Sequence, residues 1–177
     1  MSDPTRTTAG LPPLLREARP ADVAQVAPFF RAIVEDGETY AYPTGLSDAQ
    51  IEDLWFERPP GRTIVAVDGD GPGARVLGTA KMGPNRPGRG SHVGTASFMV
   101  DPAAAGRGVG RLLATEMIAW HRREGFAAIQ FNAVVETNTA AVRLWRDLGF
   151  EILTTVPEAF DSRRYGLVGL HVMYLRL

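Results

Sequence analysis

The chain has 177 residues, with 19 basic and 20 acidic side chains and no cysteine. A net charge of −1 leaves no global field to recruit nucleic acid or an anionic membrane. The lack of cysteine excludes a disulfide framework, a thiolate nucleophile and any Cys-based zinc site. His92, His121 and His171 are scattered without ligand spacing, so no metal site is expected.

Met1–Pro13 is rich in Thr, Pro and small residues, lacks a signal-peptide apolar core, and reads as a short disordered lead to a cytoplasmic protein. The length suits one domain over residues 14–177, and no apolar run approaches the ~20 residues of a membrane span. Leu14–Ala18 is a short strand. A helix follows from Pro20, with Val23, Val26, Ala27, Phe30 and Val34 at a 3.6-residue period, and Pro28 inside that pattern is expected to kink or restart it. Gly37–Gly45 is a loop, and Ser47 caps a second helix running to Phe56. Strands are predicted at Arg62–Asp68, Arg75–Met82 and Val93–Val100, separated by a Gly/Asp turn and a Gly/Pro/Arg loop at Gly83–Ser91. An amphipathic helix with Val109, Leu112, Leu113, Met117 and Trp120 on one face comes next. Ala128–Val134 is a buried strand, Asn138–Leu148 a helix, and Glu151–Val156 and Val168–Leu177 are the last strands. The order gives a mixed α/β sheet with helices on both faces.

The junction Ser97–Leu113 carries the strongest chemical signal. A strand runs into Gly106, Gly108 and Gly110 and then directly into a helix, which presents free N–H groups and the positive end of a helix dipole to a phosphate. Two nucleotide loops fail on spacing. Reading G-x-G-x-x-G from Gly106 or from Gly108 puts Arg111 or Leu113 at the third glycine, and no G-K-[S/T] run exists. What remains resembles the acyl-CoA loop of the GCN5-related N-acetyltransferases (GNAT), [R/Q]-x-x-G-x-[G/A], with Gly108 and Gly110 in register and Ala105 at the leading position. The loop alone leaves a second reading open, a helix start with no ligand.

A second run decides between them. Asn138, Ala141, Leu144, Gly149 and Phe150 fit N-x-x-A-x-x-L-Y-x-x-x-G-F of the same superfamily, with Trp145 at the tyrosine position. The resemblance implies a GNAT-like, mostly antiparallel sheet whose fourth and fifth strands splay apart. It implies acetyl-CoA as co-substrate, its pyrophosphate on the amides of Gly106, Arg107, Gly108, Val109, Gly110 and Arg111. The pantetheine arm would lie along the edge of Phe98, Met99 and Val100, beside Asn138 and Trp145. A backbone N–H near Met99 or Val100 would meet the oxyanion, a contribution of about 2.7–4 kcal/mol in other oxyanion holes. Tyr40, Tyr42, Thr95 and Asn132 would shape the acceptor pocket.

Asn132 and Asn138 are the candidate catalytic side chains, since an amide both donates and accepts. A strand asparagine between Phe131 and Ala133 is costly unless its amide is satisfied, whereas Asn138 reads equally well as a helix N-cap and nothing more. Glu38 and Glu136 are the available carboxylates, each also readable as a loop or capping acid. With Trp145 replacing the usual tyrosine, the leaving thiolate would take its proton from water, Tyr165 or Tyr174, or leave unassisted. The runs Phe131–Asn138, Val156–Phe160 and Gly169–Tyr174 resemble a narrower group that includes acetyltransferases of proline-like imino acids such as azetidine-2-carboxylate. In those relatives an asparagine stands on the fourth strand, where this chain has Thr95. The expected activity is N-acetylation of a small amino or imino acid-like amine by direct attack in a ternary complex. A protein or peptide acceptor and a non-catalytic acyl-CoA-binding module are the alternatives. The family also implies a possible homodimer.

Overall fold

The computed structural model describes residues 12–71 and 73–177, so the lead expected over residues 1–13 lies outside the described residues except for Pro12 and Pro13. Seven strands form one sheet in the order β1-β2-β3-β4-β5-β7-β6. They are β1 (Leu14–Glu17), β2 (Arg62–Val67), β3 (Val76–Pro84), β4 (Val93–Val100), β5 (Ala128–Val135), β6 (Glu151–Ser162) and β7 (Gly166–Arg176). Every neighbouring pair is antiparallel except β4 and β5. The helices are α1 (Val23–Asp36), α2 (Asp48–Trp55), α3 (Val109–Arg123) and α4 (Thr139–Asp147). None is long and apolar enough to cross a membrane among the described residues.

Helices cover both faces, which explains why β2 reads as an unbroken apolar run. Ile64 and Ala66 point into a core shared with Leu113, Met117 and Trp145 of α3 and α4. Val65 and Val67 point into a second core with Phe30, Ile51 and Trp55 of α1 and α2. α2 begins as its sequence suggests: the Ser47 hydroxyl accepts from Gln50 N–H, and Gln50 Oε1 accepts from Ser47 N–H.

Two prolines behave differently from expectation. α1 runs unbroken through Pro28, which is exposed, so the Ala24 carbonyl it leaves without a helical donor faces water rather than the core. β6 continues past Pro157 to Ser162 instead of ending at Val156. The register jumps from Val156↔Leu170 to Phe160↔Val168, so Pro157, Glu158 and Ala159 form a bulge. β6 is an edge strand, where a missing N–H costs no ladder bond.

β4 and β5 pair in parallel only at Val93↔Ala128 and Gly94↔Ile129, and then part. β4 stays on β3 from Gly78↔Val100 to Pro84↔Gly94. β5 follows β7 and carries a bulge at Asn132–Ala133, between Phe131↔Met173 and Val134↔His171. His121 of α3 packs behind this junction, fully buried, with its ring so close to Gly94 that a Cβ there would lie 2.2 Å from Cδ2. Its Nδ1 donates to the Met117 carbonyl at 2.9 Å, because a carbonyl can only accept. Nε2 has no hydrogen-bond partner among the described residues. Burial pushes the imidazole below its usual pKa, partly opposed by the backbone carbonyls of Met117, Gly83 and Thr95.

Below about pH 6.5 the unfolded chain takes up a proton at His121 that the folded chain resists, so stability falls as the pH drops through that range. Chemical denaturation at pH 7 and pH 5.5 should show this loss, and His121→Gln, which cannot titrate, should reduce the pH difference.

Candidate active site

Where β4 and β5 part, a cavity of about 650 Å³ opens between them. On one side it reaches Gly110 of α3 and Ala141, Leu144 and Trp145 of α4; on the other it reaches Ile33 of α1, the Thr39–Tyr42 loop, Phe160 and Leu170. The void therefore passes through the sheet from one helical layer to the other.

The glycine loop stands at the first mouth. Gly106 and Gly108 have φ of 77° and 75°, in the left-handed region, and a Cβ on either would meet nothing within 4 Å. Gly108 is the N-cap of α3 and offers no side chain to its first turn. The first helical bond is Leu112 N–H to the Gly108 carbonyl at 3.0 Å, so the N–H groups of Gly108, Val109, Gly110 and Arg111 are left for an acceptor from outside the helix. Arg107 N–H is not among them, because it turns back to the Ala104 carbonyl at 3.4 Å. Asp101 supports the turn from below, accepting from Ala103 N–H at 2.9 Å and from Arg75 Nη2 at 2.6 Å. Arg111 points away from the loop, to Asp147 at 2.8 Å.

Strand alternation determines which backbone groups of β4 face the cavity. Asp101 N–H donates to Leu77 of β3 at 2.9 Å, so odd-numbered residues here bond toward β3 and even-numbered ones toward the splay. Met99 N–H is thus committed to β3, and of the two oxyanion donors expected from the sequence only Val100 N–H is presented. Phe98 also faces the gap, but both of its groups are taken. The Tyr40 hydroxyl accepts from Phe98 N–H at 3.0 Å and donates to the Phe98 carbonyl at 2.5 Å. One hydroxyl thus replaces a strand neighbour at Phe98. Burial pushes the Tyr40 hydroxyl well above its usual pKa. Tyr40 stacks on Tyr42 at 5.4 Å and meets Trp55 edge-on at 5.9 Å.

The sequence profile of the acetyltransferase (GNAT) family matches residues 27–150, a span that holds the glycine loop, both parting strands and α4. The chain belongs to the GNAT family. It is 31% identical over 134 residues to the N-acetyltransferase aca1 of Schizosaccharomyces pombe, covering 69% of this chain and 64% of that protein. The chain therefore spans a little under two-thirds of the length of that relative. A GCN5-related N-acetyltransferase from Kribbella flavida shares 58% identity and superposes with a TM-score of 0.89, covering 94% of this chain and 98% of that one. A phosphinothricin acetyltransferase from Sinorhizobium meliloti, solved in complex with acetyl-CoA, shares the fold at 22% identity and a TM-score of 0.83, covering 94% and 89%.

In this GNAT chain the two asparagines occupy different settings. Asn138 is the N-cap of α4: its Oδ1 accepts from Ala141 N–H at 3.2 Å, and the residue lines the cavity. Asn132 sits on the β5 bulge and is exposed at the cavity mouth, so burial does not force a site role on it. Its amide is already engaged, donating to Asn85 Oδ1 at 2.7 Å and accepting from Gln130 Nε2 at 2.8 Å. Asn85, at the end of β3, is the neighbour that sequence reasoning missed; only strand register brings it there. Thr95 and Tyr42 line the cavity as expected.

The carboxylates resolve as structural groups. Glu38 accepts from the Ser162 hydroxyl at 2.7 Å and Arg164 N–H at 2.9 Å, tying the α1–α2 loop to the β6–β7 turn. Glu136 accepts from Gly169 N–H at 2.5 Å. Neither lines the cavity, and neither do Tyr165 and Tyr174. Tyr165 lies in the β6–β7 turn at 59% exposure, out of reach as a proton donor there. Trp145 is buried against Phe98 at 4.8 Å and Phe131 at 4.7 Å, filling the wall rather than presenting an acid.

Tyr40→Phe keeps the ring packing and removes both hydrogen bonds to Phe98. At roughly 0.5–1.5 kcal/mol each, the loss should destabilise the fold by about 1–3 kcal/mol. Hydrogen exchange should show the Phe98 amide losing protection while the Met99 amide, held by β3, keeps it.

Proposed function

We propose that the chain is an acetyl-CoA-dependent N-acetyltransferase acting on the amine of a small molecule, with residues 14–177 as its catalytic domain. The observation that carries this reading is the sequence of features along the cavity. A cluster of unpartnered helix N–H groups stands at one mouth, an uncharged passage crosses the sheet, and a loop lined with Tyr40 and Tyr42 closes the other side.

The residues fit the co-substrate. The amides of Gly108 to Arg111 suit a pyrophosphate, and the open space above Gly106 and Gly108 admits one. The uncharged passage suits a pantetheine arm, and Val100 offers the edge groups for it. The acetyl thioester supplies the electrophile. Val100 N–H is then the backbone donor available to an oxyanion, Asn138 Nδ2 a second donor from the same lining, and Trp145 packs against the arm. The acceptor amine comes from the Tyr42 side, and the walls exclude water and orient it. Asn132, which lines the cavity and is backed by Asn85, is placed to bind the acceptor's polar end. This proposal keeps Asn132 as a substrate-binding residue and moves the backbone donor from Met99 to Val100.

Acetyl-CoA should raise the thermal midpoint of the protein, while NAD and ATP should not. Saturation at ~100 times Kd corresponds to about 2.7 kcal/mol. Gly108→Ala forces a Cβ into a left-handed position at a cost of roughly 1–2 kcal/mol and turns the first-turn amides. The acetyl-CoA KM should rise about tenfold with kcat largely kept. No shift with acetyl-CoA in the native protein would overturn the assignment.

A further inference from the structure

The lining of the cavity carries no formal charge. Among the described residues, no Asp, Glu, Lys, Arg or His contributes to it. On the acceptor side the walls are Ile33, Phe160 and Leu170, with Thr39, Tyr42, Thr95 and Asn132 as uncharged polar lining residues. A charge brought into such a site is poorly compensated.

The charged groups around this half are turned elsewhere. Glu38 is held by Ser162 and Arg164 N–H, and Glu136 by Gly169 N–H. Glu57 pairs with Lys81 at 3.3 Å, and Lys81 also donates to the Leu54 carbonyl at 2.7 Å. Arg163 donates to the Glu35 carbonyl at 2.5 Å, and Arg164 lies over the Tyr165 ring at 6.0 Å. Arg86, beyond the mouth, donates to the Asn85 carbonyl at 3.2 Å. His171 bonds the Thr155 hydroxyl at 2.8 Å, and His121 is buried behind Gly94. The lining phenols, Tyr40 and Tyr42, are both pushed up by burial.

Two consequences follow for the acceptor. With no lining base, its amine must already be neutral when it enters. An α-amine with a pKa of about 8 supplies a large neutral fraction near pH 7.5, whereas an amine at about 10.4 supplies roughly 0.1%. With no lining cation, a carboxylate next to the amine has no counter-charge. From this we infer that the acceptor is a weakly basic amine on an apolar body whose carboxyl group is masked, as in an amino acid amide or ester, rather than a free amino or imino acid or a lysine-type amine. The inference rests on the N-acetyltransferase reading above.

The test uses the full chain with saturating acetyl-CoA, following CoA release with a thiol reagent. Five acceptors are compared: leucinamide, prolinamide, L-leucine, L-proline and Nα-acetyl-lysinamide. Each amide should exceed its parent acid at least tenfold in kcat/KM, calculated on free-amine concentration at one pH. Nα-acetyl-lysinamide should turn over more slowly on total amine than either leucinamide or prolinamide. For leucinamide and prolinamide, kcat/KM should rise with pH and level off at each acceptor's own pKa. Free acids turned over as fast as their amides would overturn the inference and leave the small-molecule reading standing. So would rapid acetylation of the lysine-type amine, or a shared pH break that does not follow the acceptor, which would reveal an enzyme base. Acetyl-CoA binding with no turnover of any of the five would overturn the small-molecule reading, and the inference with it.

Discussion

Backbone polar groups inside a protein must find partners, and the parting of β4 and β5 is where this fold leaves some without one. Elsewhere in the sheet neighbouring strands stay paired, broken only by local bulges such as those in β5 and β6. After Gly94 the two central strands no longer meet, and the exposed edge of β4 needs other partners. Phe98 is satisfied from within the chain by a hydroxyl. Val100 has no strand neighbour on that side among the described residues. The cavity and the clamp from the α1–α2 loop both follow from that one interruption of the ladder.

What keeps the strands apart is assembled from both sides. β4 is fixed to β3 along its whole length, while β5 bends at the Asn132–Ala133 bulge as it follows β7. At the point where they still pair, only a glycine leaves room for the His121 ring. The imidazole therefore acts as a wedge at the root of the V, and its protonation state bears on the whole junction. At the open end, α3 starts with donors that no side chain caps, so the same opening is polar at one mouth and greasy within.

Much of this was legible in the sequence because local chemistry dictates it. Glycines at 106 and 108 announce left-handed turns, Ser47 and Gln50 announce a helix start, and apolar periodicities separate the two cores. Pro28 misled because a proline's effect depends on whether the group it strands faces water, which periodicity does not encode. The misreading of Asn132 had a similar origin: the flanking apolar residues suggested burial, but the bulge turns the amide outward to Asn85. The choice between Met99 and Val100 hangs on strand parity relative to β3. The Tyr40–Phe98 clamp spans 58 residues and leaves no local trace. Long-range register, rather than composition, decided the details of the site.

The Glu38 carboxylate has a further implication. It joins the α1–α2 loop to a hairpin turn 124 residues away, through Ser162. Two residues further on, Tyr40 fastens the same loop to Phe98 of β4, so the turn and the parting strand are mechanically linked. Exchanging the β6–β7 turn would therefore loosen the loop over the cavity and slacken the hold on β4 in one stroke.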